Sequence, residues 1–222
     1  MLNERDEKII RYIENYGFVT ISQCYKMFFR NRAYGYDLAR KRLAKLQQKG
    51  HLLSQIDYLE KNPEKIYYID EEYSSPSKHT IMIMNSLAEV YKLDANVRYF
   101  AREQEWLDGK RRSDAYMIFN LNNYVYQLFV EVEGQTTKKK KSRAEIVEDF
   151  NKKYTDILRS EEPLKLAYKC FDLTPENYDK LTILTRILVI DNFSHNNAPW
   201  YVDDEKVIQV DFSLKQFGQI LI

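Results

Sequence analysis

Cysteine and histidine are scarce in this chain of 222 residues, which has two cysteines and three histidines. Cys24 and Cys170 lack the paired spacing of a zinc site and the histidines are scattered, which excludes zinc binding. The sequence has neither a charged leader followed by an apolar stretch nor an apolar run long enough to span a membrane. These absences predict a cytoplasmic protein with reduced thiols and no membrane contact.

Residues that build a core are abundant, since 44% of the chain is hydrophobic and 14% is aromatic. This length and composition fit one large domain or two small ones. One stretch, Ser74-Ser75-Pro76-Ser77, is polar and interrupted by proline, as linkers often are. We therefore predict an N-terminal domain over residues 1–73 and a C-terminal domain over residues 78–222.

The N-terminal domain has the pattern of three helices followed by a β-hairpin. Apolar residues recur at helical spacing, and turn and capping residues separate the segments. This order predicts a winged helix-turn-helix domain. The predicted elements are helices over residues 3–15, from about residue 20, and over 34–49, and strands over residues 51–58 and 65–69.

The third predicted helix lies in a strongly basic segment. Residues 30–49 hold seven basic residues against one acid, Asp37, and such a segment is an electrostatic footprint for nucleic acid. Because the third helix of a winged helix enters the major groove, we predict binding to double-stranded DNA that requires no cofactor. The alternative is a solvated basic helix that packs on a partner protein. The predicted contacts are Tyr34, Tyr36, Asp37, Arg40 and Lys41 to bases, Arg30, Arg32, Lys45 and Lys61 to phosphates, and Arg42 within the same basic segment.

The C-terminal domain alternates strands with helices, which predicts an α+β or α/β fold. Its central strands are apolar enough to lie inside a sheet. Residues 165–171 favour a further strand and residues 175–183 a further helix. The other predicted elements are a helix (78–93), three strands (96–102, 111–119 and 124–133), a helix (142–158), a buried strand (186–191) and an edge strand (207–212).

Three acidic residues occur on two neighbouring predicted strands: Asp114 on one, and Glu131 and Glu133 on the next. Antiparallel pairing brings them to one end of the hairpin, where Glu131 and Glu133 share a face. Clustered carboxylates of this kind suit Mg²⁺ or Mn²⁺, which makes a divalent-metal site one interpretation. The other is that these acids pair with Arg111, Arg112 or the lysines that follow.

Those lysines form a second basic run, in which Lys138, Lys139, Lys140 and Lys141 stand close to Arg143. Runs of this kind are usually solvated loops. Each phosphate that such a run neutralises would make DNA binding more dependent on salt. The position of the run beside the acidic residues slightly favours DNA contact.

The order of helix, three strands, helix and strand, with acids in the second and third strands, resembles the PD-(D/E)xK nuclease fold. With the winged helix, residues 5–192 resemble the replication-relaxation family of plasmids and other mobile elements. This resemblance implies DNA binding in service of plasmid replication or mobilisation, with a relaxase or a replication initiator as partner proteins. The motifs that carry it are Ser113-Asp114-Ala115-Tyr116, Phe129-Val130-Glu131-Val132-Glu133-Gly134-Gln135-Thr136 and Lys153-Tyr154.

The chain departs from the nuclease signature at Glu133, where that signature has a lysine. In an active enzyme of this fold, Asp114, Glu131 and the carbonyl of Val132 would hold the Mg²⁺ or Mn²⁺ ion, and Glu133 or Lys153 would orient the attacking water. Because the lysine is replaced, we expect a remnant or weak metal site.

The function that we predict is therefore that of a sequence-specific DNA-binding accessory or initiator protein. One alternative is an active metal-dependent endonuclease that its winged helix targets to DNA. The other is a winged-helix transcriptional regulator whose C-terminal domain serves dimerisation or effector binding, which leaves a homodimer open.

Overall fold

The computed structural model describes residues 2–56, 65–73, 75–133, 142–173, 182–191 and 206–211, together with residues 213, 214 and 217. Over these residues the chain is mixed α+β, and it divides into two compact units, Met1–Lys92 and Leu93–Ile222. No helix in the described part of the chain is long and apolar enough to cross a membrane.

In its described residues, the first unit contains four α-helices, one π-helical turn and a small antiparallel sheet with the strand order β1-β3-β2. Asn3 caps the first helix, because its side chain accepts a hydrogen bond from the backbone N–H of Asp6. Gly17 ends that helix with φ at 90°, a conformation that glycine adopts at little cost. The elements are α1 Glu4–Tyr16, β1 Val19–Thr20, α2 Ile21–Cys24, the π-helix Tyr25–Phe29, α3 Gly35–Gln48, β2 Leu53–Ile56, β3 Lys65–Tyr68 and α4 Lys78–Lys92.

Helix α4 belongs to the first unit, whereas we had assigned it to the C-terminal domain. Two polar contacts hold it there. Gln23 Nε2 donates a hydrogen bond to Asn85 Oδ1 at 2.9 Å, and Lys26 Nζ lies 2.7 Å from the Oε1 atom of the buried Glu89. The division of the chain therefore falls after this helix rather than at the polar linker before it.

The second unit is built on a five-stranded mixed sheet with the order β4-β5-β6-β7-β8. Strands β4, β5 and β6 pair antiparallel, and β6, β7 and β8 pair parallel. The elements are β4 Asn96–Trp106, β5 Arg111–Leu121, β6 Tyr124–Val132, α5 Arg143–Arg159, α6 Glu162–Cys170, β7 Ile183–Ile190 and β8 Val207–Val210.

The structure corrects one predicted strand of this unit. Residues 165–171 lie mostly in helix α6, which buries Pro163 and Ala167 at a spacing of four residues. The helix predicted over residues 175–183 falls largely outside the described residues, and at its end Ile183 begins β7.

Helix α5 packs on the sheet as its apolar spacing predicts. Phe150 and Tyr154 are buried in one cluster with Phe129 of β6, Tyr116 of β5 and Val189 of β7, and the partly buried Ile146 packs against it. This packing brings the middle of α5 over the ends of β5, β6 and β7, which is where the acidic residues lie.

Candidate functional site

The acidic residues of the second unit meet at the end of the β5–β6 ladder. The last paired residues in that direction are Ala115 and Val130. Beyond this pair, the backbone N–H of Val132, two residues after Val130, donates a hydrogen bond to Oδ2 of Asp114, one residue before Ala115, at 2.8 Å. The Asp114 carboxylate therefore takes over from the backbone pairing and lies at the very end of the strand pair.

Glu131 is the buried centre of this group, which we call the acidic cluster: Asp114, Glu131, Glu133, Lys153 and Tyr154. Lys153 Nζ donates to Glu131 Oε1 at 2.6 Å, and the Tyr154 hydroxyl donates to the same oxygen. Both donors belong to α5, and both reach the Glu131 side chain of β6.

Burial dominates the electrostatics of Glu131. Burial raises the pKa of its carboxyl group to about 7, because a buried charge loses its hydration. The nearby Lys153 ammonium opposes this rise in pKa, and the charge of Asp114 adds to it. The pKa of Tyr154 is raised well above its usual value, first by burial and then by the charges of Glu131, Asp114 and Glu133.

Asp191 is a further acid at this end of the sheet, and we did not predict it as a site residue. It is buried and directly follows β7. Strand β7 runs parallel to β6, and the backbone N–H of Glu133 donates to the carbonyl oxygen of Ile190 at 2.9 Å. The signal was available, because the carboxyl ends of parallel strands meet at one edge and Asp191 ends the buried apolar strand.

Protein groups already occupy one carboxylate oxygen of Glu131 and one of Asp114. One oxygen of Glu131 already accepts from an ammonium and a hydroxyl group, and Asp114 Oδ2 accepts from a backbone amide. Within the described ranges, no group of three or more histidine, cysteine or acidic residues is placed to hold a metal. The positive charge beside Glu131 is supplied by Lys153.

The two arginines proposed as partners of these acids, Arg111 and Arg112, pair with other carboxylates. Arg111 Nε donates to Asp156 of α5 at 3.0 Å, and Arg112 Nη1 lies 2.7 Å from Glu103 of β4. The cation that pairs with Glu131 is instead Lys153 of α5.

The second candidate site is the exposed face of α3 in the first unit. Ala39, Leu43 and Leu46 are buried and hold the helix, while Arg40, Lys41 and Lys45 are exposed. Arg40 shares its charge with Asp37 one turn earlier, at 3.3 Å.

Two tyrosines mark the start of this face. Tyr34 precedes α3 in the left-handed region, with φ at 58°, and its side chain is 85% exposed. Tyr36 is 45% exposed and contacts Tyr25 edge-on at 6.3 Å between ring centroids. A non-glycine residue in the left-handed region costs about 1 kcal/mol, so the fold tolerates some strain where it presents the Tyr34 ring to solvent.

Arg42, which we also predict to contact DNA, is engaged within the fold. It points towards α1, where its guanidinium forms a bidentate pair with the fully buried carboxylate of Asp6. Bonding to Arg42 and to the backbone of Asn3 lowers the pKa of Asp6 against the opposing effect of burial. The side chain therefore joins α3 to α1.

The remaining basic candidates have different surroundings. Arg30 is half-buried and donates from Nη1 to the carbonyl oxygen of Met27 at 3.1 Å, whereas Arg32 is exposed. The other lysines predicted to contact DNA lie outside the described residues: Lys61, Lys138, Lys139, Lys140 and Lys141.

Comparisons of the chain with protein-family models, with curated proteins and with solved structures found no match.

Proposed function

We propose that this chain is a sequence-specific double-stranded DNA-binding protein, and that helix α3 is the element that reads the DNA. The observation that carries the proposal is the exposed face of α3, on which Arg40, Lys41 and Lys45 project from a helix anchored by its buried opposite side. The order of three helices and two paired strands supports a winged-helix interpretation of residues 4–68.

The position of a residue along α3 decides whether we propose that it contacts a base or a phosphate. Tyr34, Tyr36, Arg40 and Lys41 lie at or near the N-terminal half of α3, from which side chains reach base edges in the major groove. Lys45, one turn further on, is better placed for a phosphate, which fixes the register of the helix without reading sequence.

The second unit supports a more specific role. From its first strand onwards, the order of its elements, with acids at the ends of β5 and β6, is consistent with a PD-(D/E)xK-like domain. The leading helix of that order corresponds to α4, which belongs to the first unit. With the motif resemblance to replication-relaxation proteins, this order of elements leads us to propose an accessory or initiator protein for a plasmid or other mobile element. Its partner proteins would then be a relaxase or a replication initiator.

The proposal can be tested with the full-length protein. Its preferred duplex would first be selected from a random-sequence library, and its affinity for that duplex and for an unrelated one would then be measured by fluorescence anisotropy at several salt concentrations. The double variant Arg40→Ala, Lys41→Ala should lose the preference between the duplexes, and Lys45→Ala should weaken binding to both similarly.

The control is Arg112→Ala, which removes an exposed positive charge from the second unit and should leave affinity unchanged within about twofold. Selection that enriches no sequence, or a double variant with unchanged preference, would contradict the role of α3.

A second candidate function is DNA cleavage. The specific observation that favours it is the meeting of Asp114, Glu131 and Lys153 at one end of the sheet, since an acid pair with a lysine is the donor set of the nuclease fold that the chain resembles. The existing pairing of Lys153 with Glu131 weighs against cleavage.

Incubation of supercoiled plasmid with the protein and Mg²⁺ or Mn²⁺ separates the two functions. Nicking that disappears in both Asp114→Ala and Glu131→Ala would establish the endonuclease, whereas DNA binding without nicking, preserved in both variants, is the result that we expect.

A further inference from the structure

A cavity of about 300 Å³ opens in the first unit between α1 and α3. Seven residues line it: four are cationic, two are apolar, Phe29 and Leu38, and the last is Asn3. The cationic residues are Arg5 from α1 and Lys41, Arg42 and Lys45 from α3.

The charges around this cavity are unevenly compensated. Arg42 pairs with Asp6, but Arg5, Lys41 and Lys45 make no ion pair with any carboxylate in the described part of the chain. Like charges that line one cavity repel each other, and a bound anion relieves that repulsion.

Arg5 is held in place without using its hydrogen-bond donors on a carboxylate. Its guanidinium lies over the ring of the buried Phe29, with 4.7 Å between the Cζ atom and the ring centroid. A guanidinium in this stacked position keeps its N–H groups for a planar or tetrahedral oxyanion.

We infer that this cavity binds a phosphate group, with Arg5 as its principal ligand and Lys41 and Lys45 as neutralising charges. Lys41 and Lys45 also belong to the exposed face of α3. A backbone phosphate of the duplex bound by α3 is therefore the source that the geometry favours, and this choice of source rests on the proposed function. The other source is a free phosphate or nucleotide.

The first experiment measures binding of the full-length protein to its selected duplex as a function of salt. Arg5→Ala should weaken binding several-fold and reduce the slope of log K against log salt by about 0.9, which is the loss of one neutralised phosphate. Arg5→Lys, which keeps the charge, should restore most of the slope.

The matched control is Arg11→Ala, which removes the same charge from an exposed position of α1 that does not line the cavity. It should leave both the affinity and the slope unchanged. Circular dichroism of each variant establishes that α1 remains folded.

The second experiment probes the cavity without DNA. Inorganic phosphate is titrated into ¹⁵N-labelled protein at constant ionic strength, with chloride as the reference, and the amide shifts of Arg5, Leu38, Lys41 and Lys45 are followed. Saturable shifts in the wild type that vanish in Arg5→Ala support the phosphate site.

The two experiments together identify the source. A DNA effect of Arg5→Ala that Arg11→Ala lacks supports the duplex phosphate. Saturable phosphate shifts with unaltered DNA binding assign the site to a free phosphate compound instead. If the wild-type protein binds no DNA, the proposed function fails, but the phosphate titration still tests whether the cavity binds phosphate. If Arg5→Ala does not alter DNA binding and phosphate causes no saturable shifts, the inference is wrong.

Discussion

The raised pKa of Glu131 predicts that the second unit becomes less stable as the pH rises from mildly acidic to neutral. In the folded protein the carboxyl group is buried and its pKa is about 7, whereas the ordinary value is 4.5. Between these two pH values the folded state keeps the proton and the unfolded state releases it. Because the unfolded state then binds fewer protons, the free energy of unfolding falls as the pH increases.

The size of the effect follows from the two pKa values. The interval between 4.5 and about 7, at about 1.36 kcal/mol for each pH unit, corresponds to a loss of about 3 kcal/mol. The stabilisation is fully present below pH 4.5 and is lost by about pH 7, above which Glu131 contributes no further change. Glu131→Gln cannot ionise, so the variant should lack this part of the pH dependence.

The assay is urea unfolding of the full-length protein at a series of pH values from 4.5 to 8. Fluorescence excited at 295 nm reports on the second unit, because both tryptophans of the sequence, Trp106 and Trp200, fall in its range, Leu93–Ile222. Subtraction of the Glu131→Gln curve from the wild-type curve removes the contributions of the other titratable groups of this unit.

Glu103→Gln is the control, because it removes a carboxylate of the same unit that is largely exposed. It should follow the wild-type curve. If wild type and Glu131→Gln lose stability in parallel between pH 4.5 and 7, the buried carboxyl group does not retain its proton in the folded state, and the reasoning is wrong.

Two further predictions concern the stability of the first unit, measured by urea unfolding followed by circular dichroism. Arg42→Ala leaves the buried Asp6 carboxylate without its counter-charge and should cost about 3 kcal/mol, whereas Arg40→Ala breaks an exposed pair and should cost less than about 1 kcal/mol. Gly35→Ala places a Cβ atom 2.3 Å from a backbone carbonyl oxygen. It should lower the free energy of unfolding more than Gly50→Ala does. The added Cβ of Gly50→Ala meets nothing within 4 Å, and the positive φ of that residue costs about 1 kcal/mol. Equal losses within either pair would contradict the corresponding contact.

Local signals predicted most of the helices and strands, because the neighbours of a residue along the chain decide them. Asn3 and Gly17, which are residue types that cap and end helices, bound α1, and the apolar residues Phe150 and Tyr154, four apart, form the buried face of α5. The strand predicted over residues 165–171 was wrong for the same local reason. Leu166, Tyr168 and Cys170 alternate with other residues as in a strand, but Pro163 fits the first turn of a helix and is the second residue of α6.

Contacts between distant residues could not be predicted in the same way. Helix α4 was assigned to the wrong side of the linker because Asn85 finds its hydrogen-bond partner 62 residues earlier in the chain, at Gln23. The acidic cluster shows both outcomes. Lys153 was named as a candidate, but the bond from the Tyr154 hydroxyl to Glu131 depends on how α5 is rotated over the sheet, which no local pattern states.

Contacts between distant residues also change the DNA interface that we propose. Charge counting treats the basic residues of the α3 segment as equivalent, but folding assigns Arg42 to Asp6 and shares Arg40 with Asp37. Lys41 and Lys45 keep their charges on the surface, and Arg5, which comes from α1 and lies outside the basic segment, lines the same cavity. A cation that is already paired with a carboxylate gains little from a phosphate, whereas an unpaired one gains the full interaction. The DNA-binding surface should therefore extend from α3 towards α1.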